Sequence, residues 1–202
     1  MNVSGLNKNT LTRYLDILGK LHIIRRELPI TEKNPEKSKK GLYKIADPFF
    51  RFWFRFVLPN VSKIEEDVER AFNEDIRPFL DQYYVSFSFE DVCKEVLLEL
   101  SKENRLPMRF SRIGSWWHRN NEIDILALNE DTKEILFAEC KWQNKKVGIK
   151  VYDELKEKSK LVNWHNEERK EYFALFSKAG FTPQLRNENV LLFEQRDIDN
   201  AS

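Results

Sequence analysis

Two apolar segments joined by a short polar one constrain the fold of this chain most strongly. The segments "EIDILAL" (residues 122–128) and "EILFAECKW" (residues 134–142) are rich in the branched aliphatic and aromatic residues that strands favour. The polar sequence "NEDTKE" links them and predicts an antiparallel hairpin. The register that puts apolar side chains on a common face pairs these residues: Leu128 with Ile135, and Leu126 with Phe137.

The same register brings two acids together. Because side chains alternate along a strand, Glu122 and Asp124 are predicted to share the face of Leu126. Asp124 then falls opposite Glu139, Lys141 shares the face of Glu139, and Glu122 is predicted near Lys141. Two facing carboxylates on a half-buried sheet repel each other unless a cation compensates. Carboxylate oxygens suit Mg²⁺ or Mn²⁺, and a lysine beside them can orient an attacking water. We expect Asp124 and Glu139 to bind the metal, and both to act with Lys141 in phosphodiester hydrolysis.

The Glu-x-Lys pattern alone is weak in a chain whose residues are 33% charged. Glu154 with Lys156, and Glu168 with Lys170, match it as well, but both pairs are predicted to lie in helical or loop settings. The alternative interpretation of the strand residues is an exposed face with cross-strand ion pairs.

The strands around this hairpin predict an α/β domain. Residues 86–104 follow helical spacing, with Ser88 as the expected N-cap. One strand is predicted before the hairpin, and a helix over residues 147–164 followed by two strands after it, which gives the order αβββαββ. The chain has no GxxxxGK[ST] loop, so we do not expect it to bind ATP by itself.

The first 46 residues predict a helix followed by a basic hairpin. Ser4, Asn7 and Asn9 are candidate caps for a helix within residues 4–28, and "HIIRREL" and "LYKIA" read as two strands around a lysine-rich loop. This pattern is similar to the recognition helix and wing of a winged helix. Four basic residues are candidates for DNA phosphate contact: Lys8, Arg13, Lys39 and Lys40. The alternative is a solvated helix face and a flexible loop.

Residues 46–60 are dense in aromatic side chains. Asp47 and Pro48 are typical of a helix start, whereas phenylalanines at every second position would suit a strand; we favour the helix. We expect the aromatic side chains to pack in a core or a subunit interface rather than to stack on bases. Residues 62–83 predict a helical linker interrupted at Pro78.

Composition excludes several classes of protein. The formal net charge is +1, so no overall field attracts the chain to DNA or a membrane. No stretch of about 18 apolar residues and no signal peptide is present, so we expect a cytoplasmic protein with no membrane partner. Cys93 and Cys140 are expected to be reduced, buried thiols. The chain has only three histidines, and they are scattered, so we do not expect a histidine-based metal centre.

The spacing from Asp124 to Glu139-Cys140-Lys141 resembles the PD-(D/E)xK nuclease superfamily. That resemblance implies a restriction-endonuclease-like αβββαβ core and a third metal ligand, Glu90, on the preceding helix. More narrowly, "ADPFFRFWFRFV", "RIGSWW", "EIDILAL" and "FAECKW" together resemble the nuclease-like C-terminal domain of a family of archaeal and bacterial ATPases. In that family a P-loop ATPase precedes a winged helix, which implies an ATPase domain or subunit as a partner.

These patterns predict three parts: a partial winged helix over residues 1–46, an aromatic helical linker over 47–84, and a PD-(D/E)xK nuclease-like domain over 85–197. The expected function is that of a Mg²⁺- or Mn²⁺-dependent DNA endonuclease, with Lys145 and Lys146 as further DNA contacts. The alternative is a non-enzymatic DNA-binding or regulatory module with a vestigial site. One active site cuts one strand, so cutting both would need a homodimer, for which Phe49–Phe56 is the expected surface.

Overall fold

A computed structural model describes residue 5 and residues 7–199 of the chain, which form two compact units. The first unit contains the described residues up to Leu28 together with Ser38–Tyr84. The second contains Pro29–Lys37 and the described residues from Val85 onward. Residues 29–37 of the predicted basic loop therefore belong to the second unit.

The first unit begins with the predicted helix and hairpin. Helix α1 spans Lys8–Lys20, and the Asn7 side chain caps it by accepting a hydrogen bond from the Thr10 backbone N–H at 2.9 Å. The candidate cap Ser4 lies outside the described residues. Strands β1 (Ile24–Glu27) and β2 (Leu42–Ile45) pair antiparallel, so the helix followed by a hairpin is confirmed.

The aromatic segment is helical. Helix α2 (Pro48–Phe52) starts at Asp47, whose carboxylate accepts from the Phe49 backbone N–H at 2.7 Å, and a π-helical turn, Trp53–Val57, follows. The alternating phenylalanines do not form a strand. In the helix they contact each other in pairs four residues apart, which is about one helical turn. Phe50 contacts Phe54 with ring centroids 6.0 Å apart, and Phe52 contacts Phe56 at 5.3 Å.

The rest of the predicted linker is a series of short helical segments. Asp67 has an extended backbone that ends one helix, and its side chain caps the next by accepting from the Arg70 N–H. Pro78 lies in the first turn of a later helix, where proline needs no backbone donor. The segments are a 3₁₀ turn (Leu58–Asn60), α3 (Val61–Glu66), α4 (Val68–Ala71), a π turn (Phe72–Ile76), α5 (Arg77–Leu80) and a π turn (Asp81–Val85).

The second unit is a five-stranded mixed sheet with helices. Its elements are α6 (Ser86–Lys102), β3 (Arg112–His118), β4 (Asn121–Asn129), β5 (Glu134–Lys141), α7 (Ile149–Ser159), β6 (Lys170–Ser177), a 3₁₀ turn (Pro183–Asn187), β7 (Leu191–Glu194) and α8 (Gln195–Asp199). The predicted order αβββαββ is confirmed. In the sheet the strands lie in the order β3-β4-β5-β6-β7; β3, β4 and β5 are antiparallel neighbours, while β5, β6 and β7 are parallel.

The predicted N-cap at Ser88 is wrong. Helix α6 starts at Ser86 and has no side-chain cap, and Val85 before it is already in a helical conformation. The preceding π turn, Asp81–Val85, continues into α6, so the helix does not begin from an extended chain where a cap would act.

Each face of the sheet carries its own apolar core. On the face that α7 covers, Leu126 and Phe137 pack with Leu155; on the face that α6 covers, Ala138 packs with Leu97 and Cys93. Strand β5 is therefore buried on both sides, and six consecutive residues, 135–140, are buried. A central strand covered on both faces explains the continuous apolar run in the sequence.

Ile30 attaches the loop segment 29–37 to the second unit. Its side chain is buried in the core on the α7 face, and its N–H donates to the Ser115 carbonyl at 3.0 Å. The Arg112 guanidinium donates to the Ile30 carbonyl. A buried isoleucine with both backbone groups bonded is not a flexible loop tip.

Candidate active site

The predicted hairpin register of β4 and β5 is confirmed. The structure pairs Leu128 with Ile135 and Leu126 with Phe137, and the ladder ends at Ile125 and Ala138. The next position along the register brings Asp124 to Glu139, where the backbone ladder has stopped. The two acids thus lie at the end of the paired region, where β5 continues beside β6.

A β-bulge in β4 changes how Asp124 is presented. Gly114 of β3 pairs with Leu126, and Trp116 pairs with Ile123. An advance of two residues along β3 therefore corresponds to three residues along β4. The extra residue on β4 lies at Asp124 and Ile125. Bulges of this kind redirect a side chain and end pairing, and they are frequent beside active sites.

The bulge also breaks the strict alternation from which the position of Glu122 was predicted. Ile123, rather than Glu122, joins the core that contains Leu126. Glu122 is exposed and pairs with Trp117 of β3. The prediction that Glu122 shares the face of Leu126 is therefore wrong, because the alternation holds only in an unbulged strand.

Asp124 turns its carboxylate toward β5. Its Oδ2 accepts a hydrogen bond from the Cys140 backbone N–H at 2.8 Å. A side chain thus takes the place of the ladder bond that β4 no longer supplies, which satisfies a buried backbone donor and fixes the carboxylate next to Glu139.

Glu139 is held by two lysines. Its side chain is only 7% exposed. Oε1 lies 2.7 Å from Lys141 Nζ and 3.0 Å from Lys158 Nζ, and Oε2 lies 3.2 Å from Lys158 Nζ. Both ammonium groups donate, so Glu139 is a buried carboxylate with charge-assisted bonds on both oxygens. Lys141 comes from the same strand, whereas Lys158 reaches it from α7.

The electrostatics of the two acids differ. Burial, followed by the negative charge of Glu139, raises the pKa of Asp124 to about 6, against smaller opposing effects of Lys141, the Cys140 N–H and Lys158. For Lys141, burial would lower the pKa, but Glu139 and Asp124 together raise it above its ordinary value. Burial and Glu139 thus disfavour the negative charge of Asp124, and a further cation would stabilise that charge.

Lys158 is the site residue that the sequence analysis missed. It lies on α7 one turn after Leu155 and two turns after Val151, on the stripe that faces the sheet. Its side chain is 25% exposed. The sequence does contain a signal for this residue. Positions on the inward-facing stripe of a helix usually hold apolar residues, so a lysine there indicates a buried charged partner.

Glu90 is the predicted third metal ligand. It is half-buried on α6, which packs on the opposite sheet face from α7, and it contributes to raising the pKa of the Cys140 thiol. Hydrogen bonds and charge interactions link three predicted site residues: Asp124, Glu139 and Lys141. Cys93 and Cys140 are free and buried, as predicted, and burial is the main cause that raises the pKa of Cys140.

The six predicted DNA-binding residues occupy three exposed places. Lys8 and Arg13 lie on α1, and Lys39 and Lys40 lie between β1 and β2 of the first unit. In the second unit, residues 145 and 146 are both lysines and lie in the segment between β5 and α7. Hydrogen bonds of Val147 with Gly180 and Thr182 hold that segment beside the chain that leaves β6.

The donor set at β4 and β5 fits a divalent cation with oxygen ligands. The carboxylates of Asp124 and Glu139 are neighbours, and the charge of Asp124 is incompletely compensated. Over residues 7–199, no group of three or more histidine, cysteine, aspartate or glutamate side chains is arranged to hold a metal. A cation here would therefore be held by Asp124 and Glu139, with water and substrate oxygens completing its shell, as Mg²⁺ commonly is. Along the same described stretch, no helix is long and apolar enough to cross a bilayer.

Comparison with known proteins identifies the family. A family model described as "Archaea bacterial proteins of unknown function" (DUF234) matches residues 53–160, more than half of the chain. The "Uncharacterized protein MJECL04" of Methanocaldococcus jannaschii is 43% identical over 199 residues; the match covers 98% of this chain but only 43% of that protein. No solved structure matches. The chain belongs to this family of archaeal and bacterial proteins of unknown function.

Proposed function

We propose that the protein is a divalent-metal-dependent DNA endonuclease of the PD-(D/E)xK type, with a restriction-endonuclease-like core. The observation that carries the proposal is the β-bulge that fixes the Asp124 carboxylate beside a buried Glu139 and Lys141. Surface ion pairs do not need a bulge or a buried acid. Two carboxylates with an adjacent lysine suit the hydrolysis of a phosphodiester bond.

The residues divide the chemistry between them. Asp124 and Glu139 would hold Mg²⁺ or Mn²⁺ through their carboxylate oxygens. When bound, the cation would supply positive charge at the phosphate and a water of lowered pKa. Lys141 orients the attacking water and offsets the negative charge that develops on the phosphate oxygens. The water oxygen forms a new bond to phosphorus as a P–O bond of the DNA backbone breaks.

The DNA would be held by basic residues outside this cluster. Lys145 and Lys146 are exposed and follow the strand that carries Glu139 and Lys141, so they are candidates for phosphate contact near the scissile bond. Lys8, Arg13, Lys39 and Lys40 would contact DNA through the helix and hairpin, used as part of a winged helix. A P-loop ATPase domain or subunit and a second copy of the chain are further proposed partners.

A second candidate function is a non-enzymatic DNA-binding module. The observation that favours it is that both Lys141 and Lys158 donate to Glu139. The charges of two acids and two lysines then cancel without a metal. In that case the cluster would stabilise the sheet, and the exposed lysines would supply affinity for DNA.

The test is nicking of supercoiled plasmid in the presence of Mn²⁺. We expect the wild-type chain to nick, and Asp124→Asn, Glu139→Gln and Lys141→Ala each to lower the rate by about 100-fold or more, because each removes a group that acts on the transition state. Lys156→Ala is the matched control: it removes the lysine of the second Glu-x-Lys pattern, is purified identically, and should nick like the wild type.

Two results would contradict the proposal. Equal nicking by wild type and Asp124→Asn would assign the activity to a contaminant or another site. No nicking by any preparation, with DNA still retarded in a gel, would establish the binding module instead.

A further inference from the structure

We propose that Lys158 is a positioning residue that competes with the divalent cation for Glu139 and thereby limits metal binding in the absence of DNA. The inference rests on the proposed function. It concerns a side chain on α7 that lies outside the strand motif and contacts both oxygens of Glu139, at 3.0 and 3.2 Å.

The charges of the site give the first argument. Asp124 and Glu139 contribute two negative charges, and Lys141 and Lys158 contribute two positive ones, so the four side chains balance. A divalent cation therefore enters a cluster whose net charge is zero. Without Lys158 it would enter a cluster whose net charge is −1. Because the groups are largely removed from water, this difference of one charge is weakly screened.

The geometry gives the second argument. Lys158 donates to both oxygens of Glu139, the atoms that a metal would need. Its helix is fixed to the sheet by the buried neighbours Leu155 and Ser159, so the ammonium is delivered to Glu139 by the fold. Lys141 bonds to one oxygen only. Of the two lysines, Lys158 is therefore the one that engages Glu139 as a bound metal would, through both oxygens.

Displacement of Lys158 would link the metal to the substrate. An ammonium group released from Glu139 remains beside the site and needs a new negative partner. A DNA phosphate is such a partner, and it also reduces the excess positive charge of the metal-loaded cluster. Metal and DNA would then each favour the binding of the other.

The test is the affinity for Mn²⁺ alone, measured from the electron paramagnetic resonance signal of free Mn²⁺ in titrations of the full chain. We expect Lys158→Gln and Lys158→Met to bind Mn²⁺ about tenfold more tightly than the wild type, since each removes the competing charge. Lys156→Gln removes one positive charge from the exposed side of α7 and should bind like the wild type. Asp124→Asn reports whether the ions occupy the proposed site.

The outcomes separate the inference from the proposed function. Equal or weaker Mn²⁺ binding by both Lys158 variants, with binding lost in Asp124→Asn, would overturn the inference and leave the metal site intact. Weaker binding is what a purely structural role predicts, because Glu139 would lose its orientation. If neither the wild type nor the Lys158 variants bind Mn²⁺, or if Asp124→Asn binds like the wild type, both the inference and the proposed site are overturned.

Discussion

The chain contains Glu-x-Lys on strand β5 and again on helix α7, and the two regions use it differently. On β5, residues two apart share a face, so Lys141 reaches Glu139 at 2.7 Å in a buried setting. On α7, residues two apart point to nearly opposite sides, so Glu154 pairs with Lys150 at 3.7 Å and Lys156 pairs with Asp153 at 2.8 Å. The same pattern makes one buried cluster on a strand and two separate surface pairs on a helix.

The largest expected difference between the two regions is the effect of removing the glutamate. Glu139→Ala leaves Lys141 and Lys158 largely buried with only Asp124 to compensate them, so we expect the free energy of unfolding to fall by about 3 kcal/mol. Urea denaturation of both proteins measures it. A loss below about 0.5 kcal/mol would show that the lysines find water easily and that the site is not a buried cluster.

A smaller effect of opposite sign is expected for Asp124→Asn. The pKa of Asp124 is raised to about 6, so above that pH the carboxyl is ionised in the folded protein at a cost in free energy. The asparagine amide carries no charge and can still accept the Cys140 N–H. Since the carboxyl is half-buried, we expect a gain of about 1 to 2 kcal/mol at pH 8.

The stability gain of Asp124→Asn is expected to depend on pH. The raised pKa contributes stability to the wild type that is fully present below the unfolded value of 3.8 and is lost as the pH rises through about 6. The advantage of Asp124→Asn should therefore disappear below about pH 4. Denaturation curves at pH 4 and pH 8 measure it; an advantage that grows toward low pH would contradict the assigned pKa.

The smallest effect is expected on α7. Glu154 is 57% exposed and its partner Lys150 is 87% exposed, so the pair is a solvated surface contact. We expect Glu154→Ala to change the free energy of unfolding by less than about 0.5 kcal/mol. A change as large as that of Glu139→Ala would mean that burial does not distinguish the two regions.

Much of the second unit could be predicted because its signals are local. The apolar run of β5 indicated a central strand, and the polar linker "NEDTKE" set the register that pairs Leu126 with Phe137. The bulge at Asp124 could not be predicted, because it arises from the pairing of β4 with β3, which the residues of β4 alone do not determine. The wrong face for Glu122 has the same cause.

The parts that were missed have causes that the residue type alone does not show. Lys158 joins Glu139 across 19 residues, and only the packing of α7 on the sheet brings them together. Ser88 has the residue type of a cap but lies inside a helix that continues from the preceding turn. Ile30 has the setting of a loop residue, yet its side chain completes the core of the second unit.

We propose that the bulge in β4 creates a divalent-cation site from Asp124 and Glu139. The most direct measurement is anomalous diffraction from crystals of the protein grown with MnCl₂. We expect a manganese peak about 2.0 to 2.3 Å from carboxylate oxygens of both residues, with Lys158 moved away from Glu139. Crystals with manganese elsewhere or absent, and with both lysines still bonded to Glu139, would contradict it.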